Sequence, residues 1–490
     1  MAKRVAIIDI GSNSIRMAVY ERTSRYAFHL LYEEKSKVRI SENAYKFEGI
    51  LQAVPMQRTF DALHDFIKIA QSFKTKKLLC VATSALRDAP NAKEFLKKVK
   101  EKLGCNIKII SGEKEAYLGA LACAILLPIQ TNALSIDIGG GSTEFSSIHN
   151  NTVTDTLSLD LGTVRLKELY FDSGDIDGAV AYIDKELQKI PTNTYKTLIG
   201  IGGTFRALSS AIMQEESYQL TKIHAYSYSY DTLTAFISKI LAAKIDSQLK
   251  TLHIKENRYD LIKPGTLILQ RLLKKIVFHK IITSGVGVRE GLFLTDLLRN
   301  SKDKFPHNYN SCVKYLLDTQ VSDTSFSTQL NLISKKLFDI TANYFGIDKK
   351  YRYELGLGAK LYPIGSNAHF YSQNKHSYYL IQNALEYGFT HQSNTLIATL
   401  CKYANDKLPT KSHLKKYSDL LPEEETTKIL SYLLSLSIVL LSHRPKNIDF
   451  TLSFEAGILK VTSKKNLYLA KENLKKIESL EQKLKINFNP

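Results

Sequence analysis

VAIIDIGSNS at residues 5–14 and ALSIDIGGGS at residues 133–142 are two copies of one phrase, and they align without a gap. Each begins as a run of apolar residues, which predicts a buried β-strand. Each then ends in a glycine turn, with Asp9 aligned to Asp137 and Gly11 to Gly139. A repeated strand and turn indicates two similar α/β lobes that face each other across a cleft.

The turns have the chemistry of phosphate binding. Glycine lets the backbone approach a ligand closely, and successive N–H groups form a concave site for phosphate oxygens. A third turn, Gly200-Ile-Gly-Gly-Thr, follows another apolar strand and opens a helix, whose N-terminus suits an anion. The predicted phosphate-binding residues of the three turns are Ser12, Asn13, Ser14, Gly139, Gly140, Gly141, Ser142, Gly203 and Thr204.

Carboxylates at the ends of the first two strands predict a cation. Asp9 and Asp137 would repel phosphate unless a cation lay between them, and carboxylate plus phosphate is the usual setting for Mg²⁺. Glu144, seven residues beyond Asp137, is placed to reach the same ion. We therefore expect Mg²⁺, or another divalent cation, at Asp137, Glu144 and Asp9. The alternative is a β-meander whose aspartates cap local N–H groups. Neither a Walker A loop nor a GxGxxG fingerprint is present.

Composition agrees with a soluble protein that handles anions. The 490 residues are 44% hydrophobic and 23% charged, and the net charge of +19 suits nucleic acid, a membrane surface or phosphorylated substrates. A lysine-rich surface without a ligand is the alternative. Five scattered cysteines argue against zinc or a disulfide framework. The N-terminus is typical of a strand and not of a signal peptide, and the longest apolar stretch, 429–441, is shorter than the ~20 residues of a membrane span. We expect a cytoplasmic protein.

The pattern of the chain changes near residue 304. Strand-like and helix-like segments alternate before it, and helical spacing dominates residues 311–441 after it. Residues 447–461 predict a small hairpin, and an apolar stripe predicts a final helix over 467–484. The predicted domains are lobe I at 1–128, lobe II at 129–303, a helical domain at 304–420 and a C-terminal subdomain at 421–490.

Six phrases narrow the interpretation to one family. They are DIGSNSIRM at 9–17, ATSALRDAPN at 82–91, IISGEKEAYL at 109–118, DIGGGSTEF at 137–145, LGTVRL at 161–166 and IGGTFRAL at 201–208. In this order they resemble the exopolyphosphatase/guanosine pentaphosphate phosphohydrolase (Ppx/GppA) family of the actin-like ATPase superfamily. The resemblance implies two actin-like (RNase H-like) α/β lobes around a cleft. A mostly α-helical, HD-like C-terminal region with a small α+β tail would follow.

The resemblance also implies catalytic roles. The phrase around Ser111-Gly112 places the family's general base, a glutamate that activates water, at Glu115. Arg87 and Arg16 would bind phosphate, and Arg206 and Arg289 are weaker candidates of the same kind. Surface ion pairs or solvated positions are the alternatives for these arginines. His224 is expected either to line the cleft or to be a structural histidine.

Two departures from the family pattern stand out. Ser284-Gly285-Val286-Gly287 lacks an aspartate that family members often carry there. In the helical region, the His-Asp metal pair of HD domains would fall near Tyr362-Pro363, which cannot bind a divalent ion, so we expect no metal catalysis from that domain.

These expectations favour a hydrolase of terminal phosphoanhydride bonds. Its substrates would be inorganic polyphosphate, guanosine pentaphosphate (converted from pppGpp to ppGpp), or both, and the resemblance suggests a homodimer. Three alternatives remain: an ATP-dependent small-molecule kinase on the same scaffold, an alarmone-sensing module with weak turnover, and a nucleic-acid-binding protein. The last lacks a helix-turn-helix phrase or an aromatic-basic platform, so we expect no nucleic acid or membrane partner.

Overall fold

The structure is a computed structural model that describes residues 3–191, 194–480 and 484–490. The chain divides into two compact units, Met1–Tyr309 and Asn310–Pro490. Within the first unit, two sheets with their helices form the two lobes, so we describe these before the second unit.

Lobe I is built on a mixed sheet with the strand order β3-β2-β1-β4-β5. Its strands are β1 (Arg4–Ile10), β2 (Ile15–Arg22), β3 (Phe28–Ser36), β4 (Lys77–Ala82) and β5 (Ile107–Ile109). Its helices are α1 (Ala53–Ser72), α2 (Ser84–Arg87), α3 (Ala92–Leu103) and α4 (Gly112–Leu126).

Lobe II repeats this arrangement and extends it, with the order β8-β7-β6-β9-β11-β10. Its strands are β6 (Asn132–Ile138), β7 (Thr143–His149), β8 (Thr152–Leu159), β9 (Thr197–Ile201), β10 (Ser227–Ser229) and β11 (Lys280–Thr283). Its helices are α5 (Thr163–Leu169), α6 (Ile176–Leu187), α7 (Gly202–Glu215), α8 (Tyr230–Ala242), α9 (Asp246–Thr251), α10 (Tyr259–Lys275) and α11 (Val288–Leu298).

The internal repeat is visible in strand pairing. β1 and β6 each pair antiparallel with the strand that follows and parallel with a later one, β4 or β9. Asp9 lies opposite Arg16 in the first hairpin, and Asp137 lies opposite Glu144 in the second. The two lobes thus have the same strand pairing. The residue opposite the aspartate is a cation, Arg16, in the first hairpin and a carboxylate, Glu144, in the second. This is the two-lobed α/β architecture expected from the sequence.

The second unit is mostly helical, with a small sheet of order β12-β13-β14. Its helices are α12 (Ser311–Gln320), α13 (Ser325–Phe345), α14 (Arg352–Leu361), α15 (Gln373–Ala384), α16 (His391–Tyr403), α17 (Lys411–Lys416), α18 (Glu424–Leu440) and α19 (Tyr468–Leu474). Its strands are β12 (Thr451–Glu455), β13 (Ile458–Thr462) and β14 (Lys485–Asn489). The apolar stretch at 429–441 belongs to the buried helix α18, as predicted, and β12 and β13 form the predicted hairpin.

The prediction of a continuous final helix over 467–484 was wrong. Helix α19 ends at Leu474, and the chain turns so that the Glu478 side chain accepts a hydrogen bond from the Leu408 N–H at 2.8 Å. Strand β14 then pairs with β13, and its Ile486 and Phe488 pack against the core of the unit. Residues 485–489 form a strand because the edge of β13 is available to pair with them. Residues 481–483 of the predicted helix lie outside the described residues.

The sequence analysis also considered membrane-spanning helices and disulfide bonds. In the described part of the chain, every helix falls short of the length and apolarity needed to cross a bilayer. The five cysteines are buried free thiols.

Candidate active site

A cavity of about 160 Å³ opens between the two lobes. All three glycine turns, the first turn of α4 and the start of α11 contribute to its wall. The residues singled out from sequence that line it are Asp9, Ser12, Asn13, Ser14, Arg16, Glu115, Asp137, Gly139, Gly140, Ser142, Glu144, Gly203, Thr204, Arg206 and Arg289. Two others lie behind this wall: Arg87 contacts Glu115, and Gly141 is enclosed by hydroxyl groups.

The first two turns have equivalent geometry. In one, the Gly11 N–H donates to the Ser14 carbonyl at 3.2 Å, and in the other the Gly139 N–H donates to the Ser142 carbonyl at 3.0 Å. The turns approach each other so closely that a Cβ on Gly140 would stand 2.8 Å from the Ser12 Cβ. Both turns therefore line one shared space.

The third turn brings a helix N-terminus to the cavity. Gly202 begins α7 with a φ of +84°, a left-handed conformation that favours glycine. A Cβ on Gly202 would stand 2.3 Å from Asp137 Oδ1, so only glycine leaves room for this carboxylate. Beside it, a Cβ on Gly203 would stand 2.5 Å from the Arg258 guanidinium. The N-terminus of α7 thus lies between a carboxylate and a cation.

Glu115 lies in the first turn of α4 and forms an ion pair with Arg87. The Ser111 side chain caps this helix by accepting from the Lys114 N–H at 3.2 Å. Arg87 Nη1 donates to Glu115 Oε2 at 3.1 Å. Burial raises the pKa of Glu115 well above its usual value, and the nearby Glu144 carboxylate adds to the shift. Glu113, two residues earlier, is exposed, as its helix position predicts.

The other carboxylates of the cavity are also buried close together. Burial raises the pKa of Asp137 to about 6 and that of Glu144 to about 8. Burial raises the pKa of Asp9 too, although Arg289 and Arg16 oppose the shift. Within the described part of the chain, Asp9 Oδ1 is buried without a hydrogen-bond partner. Several carboxyl groups are therefore concentrated in this part of the cavity.

These carboxylates fit Mg²⁺ when phosphate supplies the remaining oxygen ligands. Among the described residues, no group of three or more His, Cys, Asp or Glu side chains is arranged to hold a metal. Mg²⁺ is usually bound by one or two carboxylates, substrate phosphates and water, so a preformed cage is not required. In the part of the chain that the structure describes, Asp9 Oδ1 is buried without a hydrogen-bond partner, and the pKa of Asp137 is raised. Both observations are expected of carboxylates that bind a cation. The assignment of Asp9, Asp137 and Glu144 to a metal stays a prediction.

Cations cluster elsewhere in the same cavity. Burial lowers the pKa of Arg16 to about 10, with a further contribution from Arg206, and lowers that of Lys35 to about 8, with a further contribution from Arg16. Burial and the nearby Arg16 also lower the pKa of Arg258. Arg289 is paired with Glu33 at 2.8 Å. Several cations that lie close together around one cavity, most of them partly buried, suit a highly charged anion.

Strand order gives the order of these groups on the lobe I side of the cavity. Lys35 on β3, Arg16 on β2 and Asp9 on β1 are neighbours in the strand register. Glu115 lies in α4, which follows β5 at the other edge of the same sheet. On this side the cavity wall therefore runs from Glu115, past Asp9, to Arg16 and Lys35.

Lys35 and Arg258 were missed in the sequence analysis. Strand pairing places Asp9, Arg16 and Lys35 side by side on β1, β2 and β3. Lys35 could have been predicted from the sequence. Side chains alternate between the two faces of β3, and the register of the hairpin then places Lys35 next to Arg16. Arg258 precedes α10 and reaches the cavity only through tertiary packing, so no local pattern indicates it.

His224 is a structural residue and does not line the cavity. Its Nδ1 accepts from the Gly285 N–H at 3.1 Å, and its Nε2–H donates to the Leu126 carbonyl at 3.1 Å. This resolves the open choice for His224 in favour of the structural interpretation. Ser284, where the family often has an aspartate, is fully buried and bonds within its own turn.

Acid should destabilise the first unit through His224. Burial lowers the pKa of His224 to about 4, below the ordinary 6.5. Between these two pH values, the histidine is protonated in the unfolded chain and neutral in the folded chain. The stabilisation is complete above pH 6.5 and is lost as the pH falls toward 4. Between pH 7 and pH 5, His224 should lower the unfolding free energy of the unmodified chain by about 2 kcal/mol. We expect this part of the loss to be absent in His224→Gln.

Urea unfolding followed by circular dichroism at both pH values measures this difference. His64→Gln, at an exposed position, is the control and should retain the full pH dependence. A His224→Gln variant whose stability depends on pH as steeply as the unmodified chain would contradict the assignment.

Family models match most of the chain. The Ppx/GppA phosphatase family model matches residues 18–300, and the model for Ppx/GppA phosphatase domain III matches residues 312–485. A bifunctional 3-dehydroquinate synthase/phosphatase from Fusobacterium nucleatum is 31% identical over 291 residues. That match covers 55% of this chain and 43% of the relative, so the chain spans under half the length of that protein.

Solved structures share the fold of about three fifths of this chain. The Ppx/GppA family member of Aquifex aeolicus is 27% identical with a TM-score of 0.54, covering 61% of this chain and 99% of that one. An exopolyphosphatase from Cytophaga hutchinsonii has the same fold, with 24% identity and a TM-score of 0.55 over 60% of this chain and 97% of that one. Since the family model alone spans more than half of the sequence, this chain belongs to the Ppx/GppA phosphatase family.

Proposed function

We propose that the protein hydrolyses terminal phosphoanhydride bonds and releases orthophosphate from inorganic polyphosphate, from pppGpp, or from both. The observation that carries the proposal is the order of charges along the lobe I wall of the cavity, from Glu115 past Asp9 to the cations on β2 and β3. A chain of phosphates placed along this line would have its terminal phosphoryl group at Glu115. Its remaining charges would face the cations.

Glu115 is proposed as the general base. Its Oε2 accepts from Arg87, which leaves Oε1 as the atom to take a proton from the attacking water. Arg87 also favours the ionised form of Glu115, against burial and the nearby Glu144. A raised pKa makes the ionised carboxylate of Glu115 a stronger base toward the attacking water.

The glycine turns would hold the transferring group. Their N–H groups, with the side chains of Ser12 and Ser142, can donate to phosphoryl oxygens at the point where negative charge builds up. Asp9 and Asp137, assisted by Glu144, would hold Mg²⁺. When bound, the ion would neutralise phosphate charge next to these carboxylates. Arg16, Lys35, Arg206 and Arg258 would hold the phosphates that remain.

Orthophosphate release from long-chain polyphosphate and from pppGpp, assayed in parallel with Mg²⁺, tests the proposal. We expect turnover of at least one substrate, with ATP and a sugar leaving no phosphorylated product. Consumption of ATP with formation of a sugar phosphate would instead support a kinase. Tight binding of pppGpp with negligible turnover would support a sensor.

Removal of divalent ions should abolish this activity. We expect EDTA to lower phosphate release by at least about 100-fold, because the aspartates would then repel the substrate. Addition of Mg²⁺ should restore the rate. Isothermal titration of Mg²⁺ should show weaker binding to Asp137→Asn than to the unmodified chain. Activity that persists after complete chelation would contradict the metal assignment.

A further inference from the structure

Ser158 on β8 contacts a carboxylate of the candidate active site from behind. Strand pairing places it directly opposite Glu144 on β7, and opposed residues of an antiparallel pair have their side chains on the same face of the sheet. The Ser158 hydroxyl donates to Glu144 Oε1 at 2.9 Å. Among the described residues that line the cavity, Glu144 is present and Ser158 is not. Any effect of Ser158 on a ligand in the cavity must therefore pass through Glu144.

The same face of the sheet packs against the first turns of α4. A Cβ on Gly112 would stand 2.3 Å from Ser158 Cβ and 2.4 Å from Ser158 Oγ, so a larger residue would push the helix away from β8. Two residues along β7 from Glu144, the Ser146 hydroxyl donates to a backbone carbonyl of α4 at 3.1 Å. Ser158 therefore lies between Glu144 and the helix that carries Glu115.

The hydrogen bond from Ser158 fixes the orientation of a buried carboxylate. Glu144 is only 3% exposed. A Cβ on Gly139 would stand 4.0 Å from Glu144 Oε2, so this oxygen lies beside the second glycine turn. An ionised carboxylate only accepts hydrogen bonds, and the torsion that turns its two oxygens is soft. Without the Ser158 hydroxyl, Oε1 loses this donor and the carboxylate can rotate away from the turn.

We propose that Ser158 is a positioning residue that holds the Glu144 carboxylate beside the second glycine turn, where it would assist the two aspartates in binding Mg²⁺. The inference rests on the proposed function, which assigns a cation to these carboxylates. Groups that hydrogen-bond to a metal ligand orient it, and their loss typically weakens metal binding by about 10- to 100-fold. No residue of the sequence analysis carried this role.

Titration calorimetry of the full chain with Mg²⁺ alone tests the inference without turnover. Ser158→Ala removes the hydroxyl and keeps the Cβ next to Gly112. We expect the dissociation constant for Mg²⁺ to rise about 10-fold. Ser147→Ala is the matched control, because Ser147 lies on the opposite face of β7 from Glu144 and its hydroxyl hydrogen-bonds the Tyr195 phenol at 2.8 Å. This control should bind Mg²⁺ as the unmodified chain does.

A second substitution separates positioning from packing. If Ser158 acts through Glu144, then Ser158→Ala should weaken Mg²⁺ binding no further in a chain that already carries Glu144→Gln. If Glu144→Gln alone abolishes Mg²⁺ binding, the contrast between Ser158→Ala and Ser147→Ala decides the inference. Urea unfolding should give similar midpoints for these last two variants, because each loses one hydrogen bond of the same sheet.

Four outcomes would overturn the inference. They are an unchanged Ser158→Ala, equal weakening of Mg²⁺ binding in Ser158→Ala and Ser147→Ala, additive losses with Glu144→Gln, and no Mg²⁺ binding by the unmodified chain. Mg²⁺ binding by an unmodified chain that releases no orthophosphate would contradict the proposed function instead. The comparison of variants would then still decide the role of Ser158.

Discussion

Glu115→Gln should lower the rate of orthophosphate release by about 100- to 10,000-fold, the usual contribution of a general base. The amide has nearly the same size as the carboxylate and can still accept from Arg87, so the cavity should keep its shape. The binding of tripolyphosphate should be retained or become tighter, because a negative charge next to Glu144 is removed. Steady-state phosphate release and calorimetric binding, measured on one preparation, distinguish the two effects.

Glu113→Gln provides the control for this experiment. It removes an equal charge from the same first turn of α4, but its side chain is exposed. We expect a rate within about 2-fold of the unmodified chain, since exposed charges are screened. Equal losses in the two variants would mean that the net charge of the helix N-terminus matters and that Glu115 is not the base.

Gly162→Ala should remove most activity by displacing the second glycine turn. A Cβ on Gly162 would stand 2.3 Å from the Gly140 carbonyl oxygen and 2.5 Å from the Gly141 carbonyl carbon. The next residues of α5 donate to this turn, with the Thr163 N–H 3.0 Å from the Gly139 carbonyl oxygen and the Val164 N–H 2.8 Å from that of Gly140. Backbone atoms cannot rotate away as a side chain can, so helix and turn must separate.

We expect this variant to lose about 100-fold in kcat/KM, as a shift of about 1 Å in a reacting group can cause, together with about 1–3 kcal/mol of stability. Gly119→Ala in α4 is the control, because its new Cβ would lie at an ordinary 3.5 Å from the Ile201 side chain. That variant should keep full activity and gain up to about 1 kcal/mol from helix propensity. A fully active Gly162→Ala would contradict the tight contact between α5 and the turn.

The features that were predicted correctly are local ones. The apolar runs and glycines that open the two repeated phrases specify β1, β6 and their turns by residues adjacent in sequence. Pairing then confirms the repeat, since β1 and β6 have equivalent partners. The predicted alternation of strands and helices before residue 304 is also observed, for example in β4 at Lys77–Ala82 and α3 at Ala92–Leu103.

The features that were missed depend on tertiary structure. Arg258 reaches the cavity from the residue before α10 in lobe II, and the Tyr45 hydroxyl reaches Gly141 of lobe II from the segment between β3 and α1 of lobe I. Neither contact leaves a periodic signal in sequence. The final helix was predicted to be too long for a similar reason. Beyond Leu474 the chain bonds to a distant loop, with the Glu478 N–H donating to the Asp406 carbonyl at 3.0 Å, and this contact is not visible in the local apolar stripe.

Hydrolysis carried out in water enriched in ¹⁸O tests the central claim most directly. If water attacks the terminal phosphorus as proposed, each orthophosphate released from polyphosphate in a single turnover should contain one ¹⁸O atom from solvent, and the shortened chain should contain none. Mass spectrometry of both products measures this distribution. Release of unlabelled phosphate, or transfer of the phosphoryl group to an acceptor other than water, would contradict the account.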